Sequence, residues 1–347
     1  MFRPRCIMCL VGRVLLTVYF EFIEHLTMRC SFNWLIISFL CLFLGSCNDA
    51  KTDKVYTTFD SGEVTIYCDE TMEPVISAQV DVFLHAYPKA KINMVYASEN
   101  DVVRALVRGT AKMGILGREM NADEIKAMTP LKITPRHLSV ARDGMALLIN
   151  RQNPDTTLSY DEVLQIFRGK ATTWTALRPN SKLGKIAVVF DEQGSATVNY
   201  ATSLSGGSAL PPNAYAVKSN DAVIDYVSEN TGSIGIIGWS FISDTDDATM
   251  MKRRSHIRTA SLSPRDTLQG KVFFKPTPYN LGTYLYPLYR DVVVVNCEGY
   301  NGLATGFHEF MGSERGQRIF QQSGLVQLFA PGRNLLFYDT PKIKVIE

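Results

Sequence analysis

Val188-Val189-Phe190-Asp191-Glu192-Gln193-Gly194-Ser195-Ala196-Thr197 reads as a buried strand that ends in a small-residue loop, within which a helix restarts. Three apolar β-formers stop at Asp191, and Gly194 frees the backbone. Ser195 and Thr197 then stand where a helix N-terminus presents unpaired N–H groups. Aligned amide dipoles and donors make such a place an anion site. On this stretch alone, a plain strand–turn–helix capped by Ser195 is the simpler reading. The flanking sequence shifts the balance.

Upstream, Val64–Cys68 reads as a first buried strand and Lys91–Tyr96 as a second, with Met113–Leu116 as a short third. Between the first two, Ile76, Val80, Phe83 and Tyr87 recur along one helix face that Pro88 stops. Between the second and third, Val102, Val103 and Leu106 line a helix that ends at Gly109. This βαβαβ order implies a parallel sheet covered by helices. Ser139–Ala141 and Met145–Asn150 read as strands joined through Arg142-Asp143-Gly144, a first domain crossing. Ser159-x-x-Glu162 is a capping box. Residues 252–275 alternate enough to suggest two or three antiparallel strands. Tyr284–Arg290 crosses back, Asp291–Asn296 rejoins the first sheet, and two terminal helices follow.

The fold class expected is α/β with two lobes, each a mostly parallel sheet flanked by helices, joined by two crossing strands. Residues 62–143 plus 286–347 make the first lobe and 144–285 the second. Loops at the carboxyl ends of the parallel strands, after Cys68, Tyr96, Leu116 and Phe190, then collect in one crevice.

A chain of 347 residues, 46% hydrophobic and 20% charged, suits one large or two medium domains. A net charge of +2 with scattered basic residues gives no case for bulk nucleic-acid binding. No His/Cys cluster has metal-ligand spacing, which argues against a structural zinc; the expectation is of no metal and no cofactor. Five of the seven cysteines fall in the first 47 residues. Cys68 and Cys297 remain in the body, either as one disulfide or, the favoured reading, as two buried thiols.

Trp34–Leu44 is an apolar run of signal-peptide length, too short for a comfortable membrane span. Arg29 precedes it, and Leu44-Gly45-Ser46-Cys47 follows and resembles a bacterial lipobox. That resemblance implies lipidation at Cys47, with the domain anchored to the membrane of the cell envelope and facing the periplasm. Met28 is a more natural start than Met1, because residues 1–27 put Glu21 and Glu24 ahead of the charged region. Residues 1–47 are therefore a signal and lipobox segment, and 48–61 a polar tether.

Several segments, in order and spacing, resemble the phosphate-binding protein of bacterial ABC phosphate transporters, in the type II periplasmic binding-protein class. They are Thr71-Met72-x-Pro74; Phe83-x-x-x-Tyr87-Pro88; Leu106-x-x-Gly109 with Gly114 and Gly117-Arg118-Glu119-Met120; and Phe167-x-Gly169 with Trp174. Gly194-Ser195-Ala196-Thr197, Gly232-x-Ile234-Gly235, Tyr286-Pro287-Leu288-x-Arg290 and Ser313-Glu314-x-Gly316-Gln317 with Gly324 complete the set. The resemblance covers residues 63–330, and the style is similar to Bacteroides-type lipoproteins. It implies a monomeric receptor that captures inorganic phosphate or a similar oxyanion and hands it to an ABC permease in the inner membrane. It implies no enzyme. Carried over, Thr71 and Met72 supply donors from the first loop, Ser98 or Glu99 from the second, and Gly194, Ser195, Ala196 and Thr197 from the last.

The chain departs from the family at three places. Ala196 replaces the second glycine of Gly-Ser-Gly-Thr. Asp191 stands where the family commonly has an arginine, and Arg118 at or next to the position of its carboxylate partner. The expectation is a charge pair with exchanged signs, Arg118 supplying the cation and Asp191 orienting it. Solvated side chains at a cleft rim are the alternative. Glu99 stands where the family favours serine and disfavours a bound dianion. Two other functions stay open: a receptor for another oxyanion, or a sensing or assembly lipoprotein without tight phosphate binding. A phosphatase-like enzyme lacks any triad or metal spacing. Tyr284, Tyr286 and Tyr289 either line the cleft or, the favoured use, pack at the hinge.

Overall fold

Val292, Val293, Val294 and Val295 are all buried, the pattern of a strand covered on both faces. The computed structural model describes residues 57–207, 210–243, 251–252, 254–266 and 270–329. In it these valines form the middle of β11 (Tyr289–Asn296). β11 lies between β3 (Met113–Leu116) and β4 (Arg136–Asn150), antiparallel to both. Beyond β3 come β1 (Gly62–Asp69) and β2 (Ala90–Ala97), in parallel pairing. On the far side of β4 come β8 (Ser233–Gly238), β6 (Ala187–Phe190) and β7 (Ala214–Ala216), which run parallel to one another. The order is β2-β1-β3-β11-β4-β8-β6-β7. The fold is thus mixed α/β.

β4 serves both halves of this sheet. Its residues 136–144 pair with β11, and Met145–Ile149 pair with β8. Two separate strands were expected here, but the chain runs through Arg142-Asp143-Gly144 without a turn. The reason lies on the neighbouring strand. Arg142 lies opposite Asp291 and donates to it at 2.8 Å, while Asp143 lies opposite Arg290. Complementary charges across a pair hold extended a triplet that would otherwise favour a turn.

Helices α1 (Glu73–Ala86), α2 (Glu99–Val107) and α3 (Ala122–Ala127) follow β1, β2 and β3 in turn. α4 (Tyr160–Phe167) and α5 (Trp174–Leu177) precede β6, and α6 (Ala196–Leu204) follows it. α7 (Asn220–Glu229) precedes β8 and α8 (Trp239–Ser243) follows it. α9 (Pro278–Gly282) precedes β11, and α10 (Leu303–Gly312) and α11 (Glu314–Gln322) come after it. The expected capping box forms at Ser159 and Glu162, and a second forms at Asn121 and Glu124. Among the described residues, no helix is long and apolar enough to cross a membrane.

Each half of the sheet has apolar side chains packed on both faces. Phe83 of α1 meets Phe307 and Phe310 of α10 edge-on, with ring centroids 5.3 and 5.4 Å apart. Val102 and Leu106 of α2 pack with Val293 and Val295 on the opposite face. In the other half, Trp174, Phe167, Phe190 and Tyr286 share one cluster, and Val223, Val227 and Ile237 share another. Tyr286 is fully buried, and its hydroxyl donates to the Met145 carbonyl at 2.9 Å, which makes it a packing residue. Tyr284 is exposed and stacks edge-on with Tyr289 beside the Arg142 guanidinium. Cys68 and Cys297 are free, buried thiols.

The antiparallel strands expected over 252–275 reduce, among the described residues, to β9 (Ile257–Thr259), antiparallel to β4, and β10 (Ser261–Leu262). β10 pairs in parallel with β5 (Thr157–Leu158). β12 (Val326–Gln327) pairs antiparallel with β4 at Ala141 and Arg142, on the edge opposite β11. The signal segment, the lipobox Cys47 and the proposed start lie outside the described residues. At the end of the expected tether, Thr57 accepts a hydrogen bond from Leu303 N at 3.1 Å.

Candidate functional site

β1, β3, β6 and β8 all end at one place. At the end of β1, Asp69 is buried and its side chain folds back on the chain that follows. Its Oδ1 accepts from Thr71 N at 3.0 Å and from the Thr71 hydroxyl. This carboxylate caps a short 3-10 turn, Glu70–Met72, from which α1 starts without a side-chain cap of its own. Thr71 and Met72 are both buried at that helix start. The first loop is therefore built as a helix N-terminus, with its Thr71 donors directed at Asp69.

The second such start comes after β6. Gly194 has φ +86°, and a side chain there would meet the Asn100 amide. Ser195 then caps α6, accepting from Val198 N at 3.4 Å. Ser195, Ala196 and Thr197 are buried. Ala196 N donates to Asp69 Oδ2 at 3.1 Å, so one carboxylate ties the loop after β1 to the helix after β6.

Asp191 does not meet Arg118. It accepts from the Ser195 hydroxyl at 2.5 Å and from the Thr197 hydroxyl. Burial pushes its carboxyl up to about 7, against the pull of those two hydroxyls, and the charge of Asp69 adds to the rise. Arg118 forks onto Glu124 with two bonds of 2.8 Å and donates from Nε to Glu99 at 3.1 Å. The expected exchanged pair thus fails for a simple reason. Glu99 and Glu124 lie nearer in the same half of the sheet, and their carboxylates already fill the guanidinium fork.

Ser98 and Glu99 divide their work. Ser98 caps α2 and bonds Asp101 on its own helix. Glu99 accepts from Gly117 N at 3.1 Å and from Asn199 of α6 at 2.7 Å, as well as from Arg118. Burial, and then the charge of Asp69, raise the Glu99 carboxyl above its ordinary range despite Arg118. Asn100 N donates to Gly194 O at 3.2 Å, which brings the starts of α2 and α6 into contact.

The buried cation of the site is one that sequence reasoning did not assign. Arg290, on β11, is 4% exposed. Its Nη2 donates to the Thr71 hydroxyl at 2.6 Å and to Asp143 Oδ2 at 3.4 Å. Its Nε and Nη1 have no hydrogen-bond partner, and Nη1 lies 4.0 Å from Asp69 Oδ1. Gly117 and Gly238 pack closely against it. A Cβ at Gly117 would come within 3.3 Å of Nη1, and one at Gly238 within 3.0 Å of Nη2. Asp143 in turn accepts from Ser240 N at 3.0 Å, and burial raises its carboxyl despite Arg290. The signal available in the sequence was an arginine next to a buried-strand pattern, at Arg290-Asp291 before four valines. Its partner Asp143, on the crossing strand, could not be read.

The arrangement can hold an anion. It offers two helix starts, hydroxyls at Thr71, Ser195 and Thr197, and a buried guanidinium with open donors. It also holds four buried carboxylates, of Asp69, Glu99, Asp143 and Asp191. Among the described residues no group of three or more acidic, His or Cys side chains is placed to hold a metal ion.

A family model described as the PBP superfamily domain matches residues 55–315, well over half the chain. The chain belongs to the PBP superfamily. Among curated relatives of this PBP-superfamily chain, the phosphate-binding protein PstS of Bacillus subtilis is 23% identical over 254 residues. That alignment takes in 73% of this chain and 76% of the relative. PstS of Pseudomonas aeruginosa is 22% identical, over 77% of this chain and 84% of the relative. Two solved structures share the PBP fold. A substrate-binding protein of Clostridium perfringens, solved with bound phosphate, superposes with a TM-score of 0.64 at 22% identity. It covers 77% of this chain and 100% of its own. An ABC-type phosphate transport receptor of Vibrio cholerae gives a TM-score of 0.59 at 21% identity, over 76% and 99%.

Proposed function

We propose that this chain is the receptor of an ABC importer and captures inorganic phosphate between the starts of α1 and α6. The observation that carries the reading is Arg290, an enclosed guanidinium whose Nε and Nη1 lack acceptors, set beside the donors of Thr71, Ser195, Ala196 and Thr197. Buried donors without acceptors are costly, and an oxyanion supplies acceptors in the numbers needed. The phosphate-binding names of its relatives support the same ligand. Residues 62–143 with 286–347, and 144–285, act as two lobes that close on the ligand about β4 and β11. Lipidation at Cys47 anchors the receptor to the membrane, facing the periplasm. It works as a monomer that delivers its ligand to a permease and catalyses no reaction.

Four buried carboxylates against one buried arginine favour a second reading, in which phosphate is bound weakly and the lipoprotein serves another oxyanion or a sensing or assembly role. Isothermal titration of the detergent-solubilised full chain, stripped of ligand, with phosphate, arsenate and sulfate separates them. Binding of phosphate and arsenate without sulfate supports the transport receptor. No heat with any of the three overturns it and leaves the second reading.

A further inference from the structure

We propose that Asp69 is a built-in pseudo-ligand, a carboxylate that occupies from within the chain the donors an incoming oxyanion must use, and so sets how tightly the site binds. The inference rests on the oxyanion reading of the site.

The geometry is that of a bound anion. One oxygen of Asp69 takes Thr71 N at 3.0 Å and the Thr71 hydroxyl, on the α1 side. The other takes Ala196 N at 3.1 Å, on the α6 side, 127 residues away in sequence. Thr71 and Ala196 are two of the residues whose donors the site would turn toward phosphate. An N–H directed at Asp69 Oδ2 is lost to an oxyanion, because one hydrogen serves one good acceptor. Arg290 shows the same competition from its other side. Its Nη1 stands 4.0 Å from Asp69 Oδ1, close enough to feel the charge and too far to be satisfied by it. Bonds from N–H donors to a carboxylate are charge-assisted and strong. The internal carboxylate also pays no translational cost on binding, unlike a free anion. A ligand must therefore displace Asp69 from Ala196 before it can bridge the two helix starts.

Asp69→Asn separates the two roles of the side chain. The asparagine carbonyl still accepts from Thr71, so the turn is kept. Its NH2 group cannot accept from Ala196 N, and the negative charge beside Arg290 is gone. Asp69→Ser is a second variant, whose hydroxyl can cap the turn but is too short to span to Ala196.

The experiment is phosphate titration calorimetry on the full chain in detergent, wild type against both variants, with folding checked by circular dichroism. Phosphate affinity at least tenfold tighter in Asp69→Asn, and tighter in Asp69→Ser, is the expected result. Affinities unchanged or weaker in folded variants, with wild type binding phosphate, overturn the proposal and leave the receptor reading intact. Absence of phosphate, arsenate and sulfate binding in all three proteins overturns the receptor reading and this proposal with it. A readout on wild type needs no variant. In protein labelled with 15N-alanine, the Ala196 amide is expected downfield without ligand and to move on adding phosphate. An Ala196 amide at an unbonded shift in the ligand-free protein overturns the proposal.

Discussion

Arg290 Nη2 donates to the Thr71 hydroxyl at 2.6 Å, so a strand late in the chain supplies the buried cation for the loop after the first strand. The same nitrogen reaches Asp143 on β4. The guanidinium thus sits where the two crossing strands meet the helix starts, and its two open nitrogens are the site's unspent donors.

Arg290→Met keeps the length of the side chain and removes its charge. Phosphate binding is expected to fall more than a hundredfold. Stability is expected to fall by about 3–5 kcal/mol, because Asp143 is left buried without its partner. Adding Asp143→Asn should restore much of the stability and none of the binding. Urea denaturation and calorimetry on the four proteins of this cycle measure both terms, and restored binding in the double variant would show that Arg290 does not face the ligand.

Asp191 makes stability depend on pH in a stated direction. Its carboxyl titrates at about 7 in the folded protein, mainly through burial, against about 3.9 when unfolded. The folded state therefore holds the proton more tightly. The stability this contributes is fully present below the unfolded value and is lost as pH rises through about 7. Asp191→Asn removes the titration while its carbonyl still accepts from Ser195 and Thr197. Urea melts should show the variant gaining on wild type between pH 4.5 and pH 8, and a gap that stays flat with pH would contradict the assignment.

Arg118 is expected to matter for the fold more than for the ligand. Arg118→Gln leaves the buried Glu99 without its cation. The guanidinium is a third exposed, so the loss should be only about 1–2 kcal/mol. Phosphate affinity should change less than threefold. The combined exchange Arg118→Asp with Asp191→Arg should abolish binding, since position 191 is buried and lies on the Ser195 and Thr197 hydroxyls rather than on Arg118. Retained binding in that exchange would restore the pairing the structure does not form.

Cys68 and Cys297 should resist alkylation in the native protein. Burial raises both thiols, that of Cys297 to about 11 and that of Cys68 well above its ordinary range. Thiolate is the reactive form, and neither residue supplies it at neutral pH. Iodoacetamide labelling mapped by mass spectrometry should modify both only after denaturation. A Cys68–Cys297 linked peptide would refute the free-thiol state.

Periodicity and breakers were enough for most elements in the first half of the chain. Pro88, Gly109 and Gly169 mark helix ends, and the Ser159 box is where the residues place it. The reading failed where pairing between distant segments overrode local preference. Arg142-Asp143-Gly144 carries turn residues, yet it is held straight by Arg290 and Asp291, about 148 residues on. The short strands after residue 252 are defined by partners in β4 and β5 and leave little periodic trace.

The site divides in the same way. Ser195 and Thr197 at a helix start and Gly194 in the loop are local features, named from the residues because capping and backbone freedom act within a few residues, whereas Thr71 was implied by the family resemblance. Which carboxylate faces which donor was decided only by the tertiary structure. Asp69 meets Ala196, Arg118 turns to Glu99 and Glu124, and Arg290 rather than Arg118 lies buried between Gly117 and Gly238. Charges choose partners by distance and burial after the chain has folded, and neither quantity is written in the order of the residues.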